Sequence, residues 1–206
     1  MNEVWIGMLL MIGPALAENV GYSGPYAVPA GEAILIRDAL PTDHAAVVSL
    51  TLAANMEYVP MLSLDWWRAY SQNIIETLAP EAPGTSIVAE LSGGLVGSVR
   101  LLPAEAHEAD WPEIRLLAVD PRVRGRRVAS ALIAECLHRA RLLGAPTVGI
   151  HTMELMTTAR GFYERLGFVR TPEHDFDPGV GPVVQGYQLD LGRDPRPKAC
   201  RRDSDE

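Results

Sequence analysis

The stretch VDPRVRGRRVASALI, from Val119 to Ile133, places four arginines (Arg122, Arg124, Arg126 and Arg127) within six residues around Gly125 and leads straight into an apolar-periodic segment. A strand that turns tightly into a helix leaves the first backbone N–H groups of that helix unpaired, converging with the positive end of the macrodipole on one point. Such a point attracts phosphate. Gly125 lets the backbone approach an anion without a Cβ in the way, and the arginines add charge-assisted hydrogen bonds. The same residues also suit a solvated basic turn that neutralises nearby carboxylates, and the loop alone does not decide between the two. Its spacing is not GxGxxG with an acidic residue about twenty positions on, which disfavours a dinucleotide fold. It is not GxxxxGK[ST] either, which excludes a nucleotide-triphosphate loop.

The chain around this loop is acidic: its 206 residues carry 18 Lys and Arg against 26 Asp and Glu, a net charge of −8. Nucleic-acid binding needs a broad basic face. Positive charge that clusters only in one loop and the tail therefore points to a small anion and to no nucleic-acid partner. With 48% hydrophobic and 21% charged residues, the composition is that of a soluble globular chain, long enough for one domain plus tails. Cys136 lies in an apolar-periodic helix and Cys200 in a polar tail, which argues against a disulfide framework and for a reducing, cytoplasmic compartment. His44, His107, His138, His151 and His174 are scattered without ligand spacing, so no metal is expected.

The N-terminal run Val4 to Ile12, followed by Ala15-Leu16-Ala17, looks like the core and cleavage site of a signal peptide, but Glu3 and the lack of Lys or Arg before it argue otherwise. A leader over residues 1–32 is the preferred reading, with export and cleavage after Ala17 as the lesser one. The run is too short to span a bilayer and is broken by Gly13-Pro14, so no membrane association is expected.

The elements that must position the arginine loop follow from periodicity. AILIR, from Ala33, reads as a strand, and Pro41-Thr42-Asp43 punctuate and cap a helix with Val47, Leu50 and Ala54 on one face. Ser63 starts a second helix in which Trp67, Tyr70, Ile74 and Leu78 recur at helical spacing. TSIVAE and LVGSVRLL form a hairpin whose turn uses Gly93-Gly94. EIRLLAV, from Glu113, is apolar enough on both faces to be a central strand. After the arginine loop, Ala129, Leu132, Ile133, Cys136, Leu137 and Ala140 line one stripe of a helix that ends at Gly144. TVGIH is the next strand, and MTTARGFYERLGF a helix with Gly167 just past its end and Phe168 as the apolar contact behind it. VVQGYQLDL closes the sheet, and residues 192–206 form a charged tail without apolar period, read as disordered. The fold class is α/β (α+β): a single domain over residues 33–191, with a mixed central sheet of about six or seven strands and helices on both faces.

From Ala33 to Leu191 the sequence resembles the GNAT superfamily of acetyl-CoA-dependent N-acetyltransferases. The resemblance rests on VDP followed by Arg124-Gly125-Arg126-Arg127-Val128-Ala129, similar to the superfamily's [Q/R]-x-x-G-x-[G/A] pyrophosphate motif, and on Ala159, Tyr163, Gly167 and Phe168 in ARGFYERLGF, similar to A-x-x-x-Y-x-x-x-G-F. Two departures accompany it. Arg127 stands where the motif usually has glycine, and a helical residue there does not need glycine's dihedrals. Met156 stands where many members carry an asparagine that touches the pantetheine arm.

The resemblance implies that acetyl-CoA is the co-substrate, with its diphosphate on Arg124, Gly125, Arg126, Arg127, Val128, Ala129 and Ser130. The backbone of Leu117, Ala118 and Val119 pairs with pantetheine in this reading and offers an N–H to the developing oxyanion. Tyr163, with an ordinary phenol pKa of about 10, is the implied general acid for the departing thiolate, set against an ordinary core tyrosine. Glu113 is the implied base. An ordinary carboxylate of pKa about 4.3 cannot strip an alkylammonium of pKa about 10 unaided, so burial or a water relay has to assist, and a plain solvated strand-start acid is the alternative. The acidic loop with Glu105, Glu108 and Asp110 would attract a cationic amine. Tyr58, Trp66 and Trp67 are placed to contact the acceptor, or else to fill core. The function implied is transfer of an acetyl group to the primary amine of a small molecule. Acetylation of protein N-termini or lysines, or a non-catalytic acyl-CoA sensor, are the alternatives. A homodimer is common in the superfamily, though no exposed apolar stripe demands one.

Overall fold

The computed structural model describes residues 33–106, 110–179 and 181–192. The expected leader (1–32) and nearly all of the expected tail lie outside the described residues. Seven strands form one sheet in the order β1-β2-β3-β4-β5-β7-β6. They are β1 (Leu35–Asp38), β2 (Thr85–Leu91), β3 (Gly94–Leu102), β4 (Glu113–Val119), β5 (Thr147–Met153), β6 (Val169–Arg170) and β7 (Val184–Asp190), with helices α1 (His44–Asn55), α2 (Leu64–Leu78), α3 (Val128–Leu142) and α4 (Thr157–Arg165). This is the mixed α/β architecture expected.

The helices divide between the two faces of the sheet. Leu132, Ile133, Cys136 and Ala140 of α3 and Tyr163 of α4 pack on Val99, Ile114, Val148 and Ile150 in the larger core. On the opposite face Val47 of α1 and Ile74 and Leu78 of α2 pack on Val88, Leu95 and Leu116. Each fully buried side chain of this size contributes about 1.5–3 kcal/mol of transfer free energy.

Local chemistry fixes several ends. Ser63 caps α2, its hydroxyl accepting the Trp66 N–H at 3.2 Å. Helix α4 ends in a Schellman motif, with Phe168 N–H donating to the Tyr163 carbonyl at 3.1 Å and Gly167 N–H to that of Glu164 at 3.0 Å. Gly167 has φ of +94° there, the left-handed conformation glycine adopts without strain. The β2–β3 hairpin turn differs from the Gly93-Gly94 expectation. Leu91 pairs with Gly94, so the two turn residues are Ser92 and Gly93, at φ of +50° and +77°. Two left-handed residues in sequence match the type I′ twist that a two-residue hairpin needs.

Strand β4 positions the site. It pairs antiparallel with β3 on one side and parallel with β5 on the other, but the β5 pairing covers only Glu113 with Gly149 and Ile114 with Ile150. Beyond those pairs the two strands part toward the C-terminal end of β4, where the arginine loop begins. Between Ser98/Ala118 and Arg100/Arg115 the ladder places two β4 residues, Leu116 and Leu117, opposite Val99 alone. This is a bulge, and Leu116 occupies it at φ of +52°. A branched side chain held in the left-handed region is strained, and such strain concentrates at functional sites.

Candidate active site

The arginine loop is a single 3-10 turn, Pro121–Val123, followed by the N-terminus of α3. Buried Asp120 holds the turn, its carboxylate accepting the Arg122 N–H at 2.9 Å and the Arg122 Nε–H at 3.0 Å. Arg122 is thus engaged inside the loop. Arg124 makes a two-pronged ion pair with Glu57, Nη1 to Oε2 at 2.9 Å and Nη2 to Oε1 at 2.8 Å, which ties the loop to the 3-10 segment Met56–Met61. Gly125 sits at φ of +81°, and a Cβ there would point into open space. Its glycine requirement in this structure is therefore set by the dihedral.

Arg127 corrects the sequence-based expectation. It is not a helical residue: it is the N-cap of α3, at φ of +64° and ψ of +16°. At this position the glycine of the superfamily motif would be relieved of a cost of about 1–2 kcal/mol that an L side chain carries in the left-handed region. The first intrahelical bond is from Ala131 N–H to the Arg127 carbonyl, and no side chain caps the helix. The amides of Val128, Ala129 and Ser130 precede that bond and point out of the N-terminus together, the arrangement that accepts a phosphate.

From this cradle the parted β4–β5 edge leads inward. Asp120 N–H donates to the Val96 carbonyl on β3 at 2.9 Å. By strand alternation Ala118 also turns its amide to β3, whereas Leu117 and Val119 turn theirs to the gap. Of the three residues expected to pair with pantetheine, two face the right way.

On the α2 side of the same gap lies a cavity of about 180 Å³. Trp66 and Tyr70 of α2 and Phe176 form its apolar walls, and Glu113, Arg115 and His151 its charged floor. Period-two alternation puts Glu113 and Arg115 of β4 and His151 of β5 on one face, opposite Ile114 and Ile150. The bulge adds Leu116 to that same face.

Glu113 is 1% exposed, so it is not a solvated strand-start acid. Its carboxylate contacts His151 Nδ1 at 2.7 Å and Arg115 Nη2 at 2.7 Å. Burial works to raise the Glu113 carboxyl. The bond from His151 and the charge of Arg115 outweigh it and hold the group at about 2. His151 Nε2 faces the carbonyl oxygen of His174 at 3.0 Å. Both ring nitrogens therefore meet acceptors, and only the imidazolium can donate to both. Burial lowers the His151 pKa, but the Glu113 carboxylate prevails and raises it.

Tyr163 lies across the sheet, in the larger core, 8% exposed and edge-on to Phe168 with ring centroids 5.7 Å apart. It does not line the cavity, and burial pushes its phenol above the ordinary range. Trp66 lines the cavity and packs with Met153 and Met156, a cluster that Tyr58 borders. Met156 lines the cavity too. Trp67 is only partly buried and meets Tyr70 at 6.3 Å between ring centroids, away from the cavity. Arg115, His151 and Phe176 were not singled out by sequence reasoning. The signal for His151 was its parity with Glu113, and that depends on a register which two paired residues fix.

Among the described residues no group of three or more His, Cys, Asp or Glu could hold a metal ion, and no helix is long and apolar enough to cross a membrane.

A mixed sheet thus parts beside a helix N-terminus, with a partly open cavity on the far side of the gap. The model of the Acetyltransferase (GNAT) family matches residues 52–168, more than half of the sequence, and the chain belongs to that family. It is 31% identical over 111 residues to N-acetyltransferase 8B of Homo sapiens, a match covering 53% of this chain and 49% of that protein. To N-acetylaspartate synthetase of Mus musculus it is 34% identical over 110 residues, covering 52% of this chain and 36% of that protein. The chain thus spans about half, or less, of the length of these two relatives. The fold is shared with PaiA N-acetyltransferase from Thermoplasma acidophilum in complex with coenzyme A, at a TM-score of 0.59 and 14% identity, over 76% of this chain and 99% of that one.

Proposed function

We propose that residues 33–191 transfer an acetyl group from acetyl-CoA to the primary amine of a small molecule. The observation that carries this reading is the uncapped N-terminus of α3, opening at the end of β4 where β4 and β5 part. One end of that path suits a diphosphate and the other is a small, partly open cavity of about 180 Å³, below the about 300–1,000 Å³ of drug-sized sites.

In this reading the amides of Val128, Ala129 and Ser130, with Gly125 and the guanidinium groups of Arg124, Arg126 and Arg127, bind the diphosphate. Arg124 exchanges Glu57 for phosphate. Leu117 and Val119 bond the arm along the gap, and the amide of Leu117 at the bulge polarises the thioester carbonyl as it becomes an oxyanion. When bound, acetyl-CoA supplies an activated acyl group with a thiol leaving group. As the C–S bond breaks, Tyr163 donates the proton that the departing thiolate needs, and the phenol is restored by the proton that the newly acylated nitrogen sheds. Burial weakens the phenol as an acid but disfavours a thiolate in the same surroundings, so the two remain matched.

Glu113 takes a narrower part than the sequence suggested. A carboxyl held at about 2 is a poor base toward an ammonium of pKa about 10. It serves instead to fix Arg115 and His151, and the His151 imidazolium favours the neutral form of an amine brought beside it, releasing its proton to water. Tyr58 and Trp66 border the acceptor, with Trp67 outside it.

The relatives' names differ in acceptor, so the family does not specify this one. The test is release of free coenzyme A thiol from acetyl-CoA over a panel of small amines. Tyr163→Phe should lower kcat at least tenfold while leaving coenzyme A affinity within about threefold. Tight binding with no thiol release from any amine would favour the sensor reading, and turnover only with peptides would favour a protein acceptor.

A further inference from the structure

The charges around the cavity do not cancel. Its charged lining residues are Glu113, Arg115 and His151, one carboxylate against a guanidinium and an imidazolium. A third cation stands directly across the ladder, since Arg100 of β3 pairs in register with Arg115 and so lies on the same face. Arg100 is 5% exposed and directs its donors to neutral groups: the carbonyls of Ala82 and Pro83, at 2.5 Å and 3.0 Å, and the Ser86 hydroxyl at 2.9 Å. Its charge is answered by no carboxylate in those bonds. Arg100 turns its guanidinium toward the start of β2, so on this face it adds positive charge without supplying a partner for Arg115. In a protein of net charge −8 this local excess of positive charge requires a reason.

Arg115 supplies one. Its side chain is 33% exposed, against 1% for Glu113, and it meets Glu113 through Nη2 at 2.7 Å. It lines the cavity opposite the rings of Trp66, Tyr70 and Phe176. A planar guanidinium at the edge of an apolar cavity is matched to a carboxylate, which it can bind by two parallel hydrogen bonds. An acceptor that was a simple cationic amine would meet net repulsion in this cavity. One that also carries a carboxylate would neutralise the excess and be oriented by it.

We propose that the acceptor is an amino acid or similar amino-carboxylic acid, whose carboxylate docks on Arg115 and whose apolar side chain rests against Trp66, Tyr70 and Phe176. This rests on the acetyltransferase reading above and adds the substrate class to it. Arg115 is a specificity residue here and takes no part in the acyl transfer.

The test compares matched acceptors that differ only at the carboxylate: leucine with leucinamide and isoamylamine, and phenylalanine with its amide and phenethylamine. With native protein the acids should have kcat/KM at least tenfold above their amides and decarboxylated amines. Arg115→Gln should raise KM for the acids about tenfold or more with kcat within about threefold, and leave the amides unchanged, so that the preference for acids disappears. A variant disturbed in fold would lower all acceptors alike. Binding is read separately by saturation-transfer NMR of the same acids and amides on native protein loaded with coenzyme A. Amides used or bound as well as acids would overturn the proposal while leaving the acetyltransferase reading intact. Failure to bind coenzyme A at all would instead remove that reading, and the NMR comparison on free protein would still decide whether the cavity prefers a carboxylate.

Discussion

Replacing Glu113 by Gln keeps the shape of a buried side chain and removes the one negative charge between Arg115 and His151. In the native protein the carboxyl is held at about 2 against an ordinary 4.5. At about 1.36 kcal/mol per pKa unit, that depression corresponds to about 3 kcal/mol of favourable interaction. Breaking a buried ion pair by removing one partner typically costs about 3–5 kcal/mol, because the other charge is left uncompensated. Glu113→Gln should therefore lose about 3 kcal/mol at neutral pH, a drop in Tm of roughly 6–12 °C for a chain of this size. The pH dependence carries the signature. A depressed carboxyl contributes stability that is present above 4.5 and lost as pH falls toward about 2. His151 has the opposite sign: its raised pKa contributes stability that is full below its ordinary 6.5 and is lost as pH rises through the elevated value. The assay is urea unfolding of both proteins from acid to mildly alkaline pH. The variant should lack both slopes, and its His151 C2-proton resonance should titrate at lower pH than in native protein. A loss below about 1 kcal/mol, with both slopes retained, would refute the claim that this buried pair is the ordering element of the cavity floor.

Arg127→Gly should raise stability by at most about 1 kcal/mol, since relief of the left-handed strain is offset in part by the freedom glycine gains on unfolding. The same change should weaken coenzyme A binding measurably by calorimetry, because a guanidinium is lost from the cradle. Glu57→Gln breaks an ion pair whose side chains are about 45% exposed; such pairs contribute about 0–1 kcal/mol, so Tm should hardly move while coenzyme A affinity stays equal or rises. Gly181→Ala would set a Cβ 1.7 Å from Trp66 Cδ1 at a position of φ +83°. It should lower Tm and raise acceptor KM more than coenzyme A Kd, as read by thermal unfolding and steady-state kinetics.

The parts of this fold legible in the sequence are those governed by local chemistry. The bounds of β4, the Ser63 cap and the Gly167-Phe168 ending of α4 each follow from a few adjacent residues, and the arginine-glycine motif marks the start of α3. Strand β6 was missed because two residues carry no periodicity. The Arg127 conformation was misjudged because a motif position does not say which residue is the cap. On α2 the adjacent tryptophans flank one stripe, and only the rotation of the helix decides that Trp66 is buried at 4% exposure while Trp67 is not. The cavity floor was least legible of all. Arg115 shares a face with Glu113 by plain alternation along β4, but His151 meets it only through a two-residue parallel pairing between strands more than thirty positions apart, which no local pattern encodes.

The central claim is that the amides at the start of α3 grip the diphosphate of coenzyme A and that the arm runs from there along the free edge of β4. Backbone amide chemical-shift mapping on titration with coenzyme A tests it most directly. Saturable shifts should appear at Gly125, Val128, Ala129 and Ser130 and continue at Leu117 and Val119, with Ala118 much less affected. A titration that leaves these amides unmoved, or that perturbs only residues away from the β4–β5 gap, would contradict it.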